Sequence, residues 1–242
     1  MKVANSVYVL PIPRSPQEAD SYLNLTLIVD EENGTTLVDA GLPDQTEAIG
    51  GGLVGAGIRV RDLRLIIFTH QDLDHVGSGA ALVRQSGARV LAHSADAPYI
   101  DGSLRPLKPS PEMLKQRPQM RKILERLEPV AVDEQVENGT RLDLAGGTQV
   151  IFTPGHTPGH ISLYLEASKI LIAGDALIAE GGYLNGPNPL ATLDMRAAMQ
   201  SVKRLADLDV DTIVCYHGGV VSEDANGQLR RVLQEASRNR DD

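Results

Sequence analysis

Residues 66 to 77, Ile-Ile-Phe-Thr-His-Gln-Asp-Leu-Asp-His-Val-Gly, constrain this chain more than any other stretch. The apolar run Leu65 to Phe68 reads as a short buried strand, and His70, Asp72, Asp74 and His75 follow it at once. Two imidazoles and two carboxylates crowded at the end of a buried strand stay unsatisfied unless something positive sits among them. A divalent cation is the simplest such group, since His and Asp are ordinary metal ligands. The alternative is a polar turn in which Asp72 or Asp74 caps the following helix. That turn employs one carboxylate and leaves both histidines without a role.

A chain of 242 residues can bury a sizeable core as one domain, at most with an insertion, and a single domain is expected. Its formal net charge of −9 lacks the field that gathers phosphate backbones, so nucleic acid is disfavoured as a partner and a small-molecule substrate is expected. The one cysteine, Cys215, sits in the apolar run Thr212 to Tyr216 and reads as a small buried hydrophobe rather than a nucleophile. It fits a reducing cytoplasm. The first residues carry no signal-peptide pattern and no apolar run reaches membrane-spanning length, so cytoplasmic localisation without a membrane partner is expected. Oligomeric state is left open, a homodimer included.

Taken in order, Val7 to Leu10 and Tyr22 to Val29 alternate like strands, separated by a proline-rich turn from Pro11 to Pro16. Asn33-Gly34 suits a hairpin leading into Thr35 to Asp39. Helical signals cover Pro43 to Ala56, although Gly50 to Gly52 weaken the middle, and again His75 to Gln85, where Gly77 and Gly79 would allow close backbone approach. Residues 101 to 128, punctuated by four prolines, read as an insertion over one end of the sheet, a substrate-facing cover, or else a surface excursion without contact to the site. Strand signals return at Val130 to Val132, Thr140 to Leu144, Thr148 to Phe152, Ile161 to Leu165 and Lys169 to Ala173. A loop from Glu180 to Asn188 precedes helices at Leu193 to Leu205 and Glu223 to Ser237, which flank a strand ending in His217; the polar tail from Asn239 reads as frayed. Strands then helices, twice over, argue for two packed sheets with helices outside.

The segment His70-Gln71-Asp72-Leu73-Asp74-His75 resembles the metal-binding motif of the metallo-β-lactamase fold superfamily, with Asp72 where the family most often has its second His. Other pieces match in order: Leu37-Val38-Asp39-Ala40-Gly41, the loop Thr153 to His160, Ala173-Gly174-Asp175 and Tyr216-His217-Gly218. The resemblance covers residues 20 to 220. It implies an α+β fold, an αββα sandwich of two mixed sheets flanked by helices, with the site along one edge. It further implies that His70, Asp72 and His156 hold one metal, that Asp74, His75 and His217 hold a second, and that Asp175 bridges them.

On this resemblance the chain is expected to be a hydrolase in which metal-bound hydroxide attacks a small ester-like carbonyl, a lactone or a thioester, with a β-lactam less suited. Two divalent ions are expected, zinc first, with iron or manganese as alternatives. Three carboxylates against two divalent ions leave a formal charge of +1, one unit lower than with His at position 72. That makes the metals weaker Lewis acids, shifts preference away from zinc, and keeps single-metal occupancy open. Asp74 and Tyr183 are the catalytic candidates; Tyr183 stands eight residues past Asp175 as an oxyanion donor, with Tyr164 and Tyr216 behind it. Asp39 and His160 read as partners of the ligands or loops, and His93 as a structural histidine. The competing readings are a phosphodiesterase or RNA-processing hydrolase, a mononuclear iron sulfur dioxygenase and a metal-binding protein without catalysis.

Overall fold

The computed structural model describes residues 1–14, 21–30, 32–116 and 118–238, apart from the side chains at 111, 113 and 119. Its first sheet runs in chain order: β1 (Lys2–Ala4), β2 (Val7–Pro13), β3 (Tyr22–Asp30), β4 (Gly34–Val38), β5 (Leu63–Ile67), β6 (Arg89–His93) and β7 (Glu134–Val136). The first four strands pair antiparallel, and β4 to β7 are parallel. The second sheet contains β8 (Arg141–Leu142), β9 (Thr148–Phe152), β10 (Ile161–Leu165) and β11 (Ile170–Gly174). After a separate ribbon of β12 (Ile178–Glu180) and β13 (Tyr183–Asn185), that second sheet is completed by β14 (Thr212–Cys215) and β15 (Gly219–Val221).

The strands are two-faced, and that fixes the layers. Ile28, Val38, Ile67 and Leu91 of the first sheet meet Val150, Leu163, Ile172 and Val214 of the second in one apolar layer. The opposite face of the first sheet, with Leu37, Ile66 and Phe68, is covered by helices α1 (Thr46–Gly55), α2 (Leu73–Val76) and α3 (Gly79–Ser86). Short helices α4 (Ala97–Ile100), α5 (Pro111–Gln116) and α6 (Pro118–Leu124) follow, and α7 (Met195–Leu205) with α8 (Ala225–Arg238) cover Leu171, Ile213 and Cys215 on the other sheet. The result is the expected αββα sandwich. No described helix is long and apolar enough to cross a membrane.

Several boundaries differ from the sequence expectation, each for a physical reason. Pro11 and Pro13 lie inside β2 rather than in a turn; Ser15 and Pro16 fall outside the described residues, as does the tail from Asn239. The Val9 N–H points away from β3, to Met1 O, so Pro11 and Pro13, two and four residues on, face the same side of β2 past the last β1 partner and cost no bond of the β2–β3 ladder. The helix expected over His75 to Gln85 is two helices broken at Gly77, where a Cβ would sit 2.3 Å from Pro43 N. Val130 to Val132 is not a strand. Val130 is buried in the outer layer and donates its N–H to Ile100 O, and pairing with β6 begins only at Asp133, whose N–H donates to Val90 O. The loop expected from Glu180 contains the β12–β13 hairpin.

Candidate metal centre

The candidate donors and their partner Asp39 gather beyond the carboxyl ends of strands: Asp39 after β4, His70 with Asp72, Asp74 and His75 in the turn and α2 after β5, His156 after β9, Asp175 after β11 and His217 after β14. Strand ends of the two sheets therefore converge on one edge of the sandwich. His156 is carried by a loop that α7 fastens, because Asp194 donates its N–H to Gly155 O (2.9 Å) while its side chain caps the helix at Ala197 N. His217 is held by an isolated bridge to Leu23, and Asn24 donates to Tyr216 O from both its backbone and side chain.

A buried network around Asp39 sets which ring nitrogen of each histidine faces the centre. The Asp39 carboxylate accepts from Thr69 N (2.8 Å) and from Thr69 Oγ1 (2.8 Å), and it lies 2.9 Å from His75 Nδ1. An acceptor-only carboxylate requires the proton on His75 Nδ1. Since the Thr69 hydroxyl spends its proton on Asp39, His70 Nδ1, 3.0 Å from that oxygen, is also the donor. In each ring it is therefore Nε2 that faces the centre and offers its lone pair to a cation, any proton there leaving as the cation binds. Asp39 holds this position with φ of 65°, a backbone region costly for a residue with a Cβ.

Those lone pairs meet carboxylates that the protein leaves incompletely bonded. His70 Nε2, His75 Nε2, Asp72 Oδ1 and Asp175 Oδ1 are buried without a hydrogen-bond partner. Asp175 Oδ1 stands 3.3 Å from His75 Nε2, and its Oδ2 stands 3.3 Å from His156 Nε2 and 3.4 Å from His217 Nε2. Asp74 Oδ2 is 3.4 Å from His217 Nε2. Such spacings are long for good N–H···O bonds but equal the edge of about 3.3 Å between ligands held some 2.0 Å from one tetrahedral ion. The donors of His70, His156 and Asp175, and separately of Asp74, His75 and His217, all lie within 4.8 Å of one another. The donor set fits divalent cations. Asp72 joins the first group differently: it is the N-cap residue of α2 by its backbone, yet its carboxylate makes no cap bond and turns into the centre, 3.4 Å from His70 Nε2. The turn-capping alternative therefore describes its main chain only.

Electrostatics follow from burial and crowding. Burial, reinforced by His75, pushes His70 well below the usual imidazole range. Burial opposes ionisation of Asp72 and Asp175, but His70, His156 and Lys108 outweigh it at Asp72, and His217, His75 and His156 outweigh it at Asp175, so both carboxyls titrate well below the ordinary carboxylate value. Burial is likewise overcome at His75, raised well above by Asp39 and Asp175, and at His217, raised by Asp175 and Asp74. Loading a cation on these imidazoles therefore releases protons.

His160 is a partner, not a ligand. Asp175 N donates to its Nε2 (2.9 Å), which places the ring proton on Nδ1, donating to Thr153 Oγ1 (2.8 Å). Burial and the nearby His156 lower it to about 3. A folded value below the unfolded one of about 6.5 means that the unfolded chain binds the extra proton first, so stability is lost as pH falls from about 6.5 toward 3. Urea unfolding of wild type and His160→Gln at pH 7, 6, 5 and 4 should show the wild-type advantage shrinking slowly at first and, below about pH 6, by about 1.4 kcal/mol per pH unit. An advantage independent of pH would contradict it.

Asp96, missed in the sequence, ties the two ligand loops together. Its fully buried carboxylate accepts from Gln71 N (2.9 Å), Gln71 Nε2 (3.2 Å), Thr157 Oγ1 (2.6 Å) and Gly159 N (2.7 Å). Gly159 permits this approach, since a Cβ there would lie 2.4 Å from Asp96 N. Asp96→Ala strands these donors at about 1–3 kcal/mol each, so the melting temperature is expected to fall by roughly 10 °C. A fall under about 2 °C by calorimetry would show that the loops hold without it.

Above the donors opens a cavity of about 780 Å³, lined among others by Arg14, Tyr22, Asn24, Leu42, Leu73, Lys108, Met120, Ile123, Ile178 and Leu190. The segment expected as a cover thus contributes Lys108, Pro109, Met120 and Ile123 to the wall. Tyr183 does not reach it: the side chain is 63% exposed on the β12–β13 hairpin, with the Arg231 guanidinium 5.5 Å from its ring. Tyr216 packs on His75 and donates its hydroxyl to Asp74 O, and Tyr164 donates to Asp209 O (2.6 Å). Tyr22 is the tyrosine among the lining residues. His93 stacks on Phe152, away from the cavity.

The family model described as the metallo-beta-lactamase superfamily matches residues 21–217. The chain is 28% identical over 213 residues to a probable metallo-hydrolase, YflN, of Bacillus subtilis, covering 78% of this chain and 76% of that protein. It is 32% identical over 192 residues to a hydroxyacylglutathione hydrolase of Cereibacter sphaeroides, covering 78% of this chain and 59% of that protein. An N-acyl homoserine lactonase of a Bacillus species is 28% identical over 208 residues, covering 83% of this chain and 74% of that protein. Among solved structures, that of a metallo-beta-lactamase family protein of Thermus thermophilus superposes with a TM-score of 0.79 at 25% identity, over 98% of this chain and 81% of that one.

Proposed function

The chain belongs to the metallo-beta-lactamase superfamily, and from that premise we propose that it is a metal-dependent hydrolase of a small ester-like carbonyl compound, a lactone or a thioester. One observation carries the reading: two clusters of imidazole and carboxylate donors share Asp175 on the floor of a cavity of about 780 Å³. That volume suits a small molecule, not a nucleic-acid strand, and the acidic balance points the same way. Hydrolysis of a thioester and of a lactone are the activities in the names of two relatives.

The residues divide the work. His70, Asp72 and His156 with Asp175 would hold one divalent cation, and Asp74, His75 and His217 with Asp175 the other. When bound, such cations acidify water toward neutral pH and polarise a carbonyl oxygen. Asp39 keeps both Nε2 lone pairs aimed inward, and His160 fixes the Asp175 main chain. Asp74, at 19% exposure the most open of the three carboxylates, is placed to take or return a proton. Leu42, Leu73, Met120 and Ile123 form an apolar wall for an acyl group, while Arg14, Tyr22 and Asn188 offer donors to its polar end. Protein loaded with zinc, manganese or iron should hydrolyse lactones or thioesters faster than nitrocefin-type β-lactams or phosphodiesters. Turnover confined to phosphodiesters would overturn the proposal.

A further inference from the structure

Donors stand 3.3–3.4 Å apart, the separation of groups sharing a cation, around Asp175, His75, His217 and Asp74 and also between His70 and Asp72 and between His156 and Asp175. Only the second of these clusters also holds a cation of the chain's own. At Asp72 and His156 the chain itself closes the corner. Lys108 Nζ lies 2.5 Å from Asp72 Oδ2, 2.9 Å from His156 Nε2 and 2.7 Å from Ala191 O. An ammonium has three N–H donors, and these three acceptors take them, with His156 O a longer fourth contact at 3.4 Å. The 2.9 Å contact between His156 Nε2 and Asp72 Oδ2 is then the approach of two acceptors on one shared positive group.

Resting on the metal-centre reading above, we infer that Lys108 is a tethered cation that fills the Asp72–His156 corner. The chain then takes one divalent ion tightly at Asp74, His75, Asp175 and His217, and admits a second at His70, Asp72 and His156 only by displacing the lysine. Charge favours this order. One divalent ion and one ammonium balance the carboxylates of Asp72, Asp74 and Asp175, whereas two divalent ions with the ammonium still present leave an excess of +2 in a buried site. The lysine is also held from behind. Leu107 N donates to Gln71 Oε1 (3.0 Å), and Gln71 is clamped by Asp96, so the backbone entering Lys108 is fixed beside the centre.

Zinc titration of the metal-free protein, followed by calorimetry, tests the inference. A resident competitor lowers apparent affinity by the fraction of time it occupies the corner, so wild type should bind one zinc tightly and a second weakly. In Lys108→Met the second step should tighten by about 10- to 100-fold while the first stays unchanged. Lys108→Gln, with a cooperative melt as the fold check, should behave alike. Equal constants for both steps in wild type and variants would overturn the role of Lys108 and leave the metal centre standing. Absence of zinc binding in all of them would remove the metal centre and, with it, this inference.

Discussion

Asp175→Ala is expected to abolish the tight zinc step and the weaker second one together, and to lower hydrolytic turnover roughly a thousandfold, the scale of losing a charge aimed at the reacting centre. The size follows from position: one carboxylate stands 3.3–3.4 Å from three imidazoles, His75, His156 and His217, so its removal opens both donor clusters together. Asp175→Asn keeps an oxygen but loses the charge, and should retain one weak step. The metal-free protein will also report the change. Asp175 raises the folded values of His75 and His217, a contribution present below about pH 6.5 and lost as pH rises through those raised values. The carboxylate's own lowered value makes its contribution present above about pH 3.8 and lost as pH falls through the lowered value. The stability gap between wild type and Asp175→Ala should therefore be widest between about pH 4 and 6.5. Metal content per chain and unfolding curves across pH check both parts; an alanine variant that still binds two zinc ions would contradict them.

Asp39→Ala should cost about 3–5 kcal/mol, because Thr69 N, the Thr69 hydroxyl and His75 Nδ1 lose one buried anionic acceptor together. The melting temperature should drop by roughly 10 °C, at about 2–4 °C per kcal/mol for a chain of this size. Zinc affinity should fall about 10- to 100-fold, since neither ring is held with its Nε2 lone pair inward. Asp39→Asn separates the two effects. Its amide can donate to Thr69 Oγ1, freeing the hydroxyl proton to bond His70 Nδ1 and forcing the His70 proton onto Nε2. That variant should fold with a smaller loss yet bind zinc as poorly as the alanine variant. Zinc affinity equal to wild type in Asp39→Asn would show that Asp39 does not set the tautomers.

The order of strands and the convergence of the candidate donors were legible because each donor lies within a few residues of an apolar run, so local sequence already places it near a strand end. His70, Asp72, Asp74 and His75 share one turn, and His156, Asp175 and His217 each close a strand pattern. What escaped was set by contacts between distant segments. Val130 looked like strand because it is apolar and β-branched, but its burial serves the outer layer. The break at Gly77 reflects the backbone of Pro43, 34 residues away in sequence. Lys108 and Asp96 carry no local signature, since a lysine in a proline-rich stretch and an aspartate before a short helix read as surface residues. Tyr183 was expected at the site from its distance to Asp175 along the chain, and the β12–β13 hairpin turns it outward instead.

Anomalous diffraction at the zinc edge from zinc-loaded crystals locates the cations themselves. The strongest peak is expected among Asp74, His75, Asp175 and His217, and a weaker one among His70, Asp72 and His156 that gains occupancy in Lys108→Met. Zinc-loaded crystals with no peak in this cleft, or with their peak beside other residues such as His93 and Glu137, would contradict that placement.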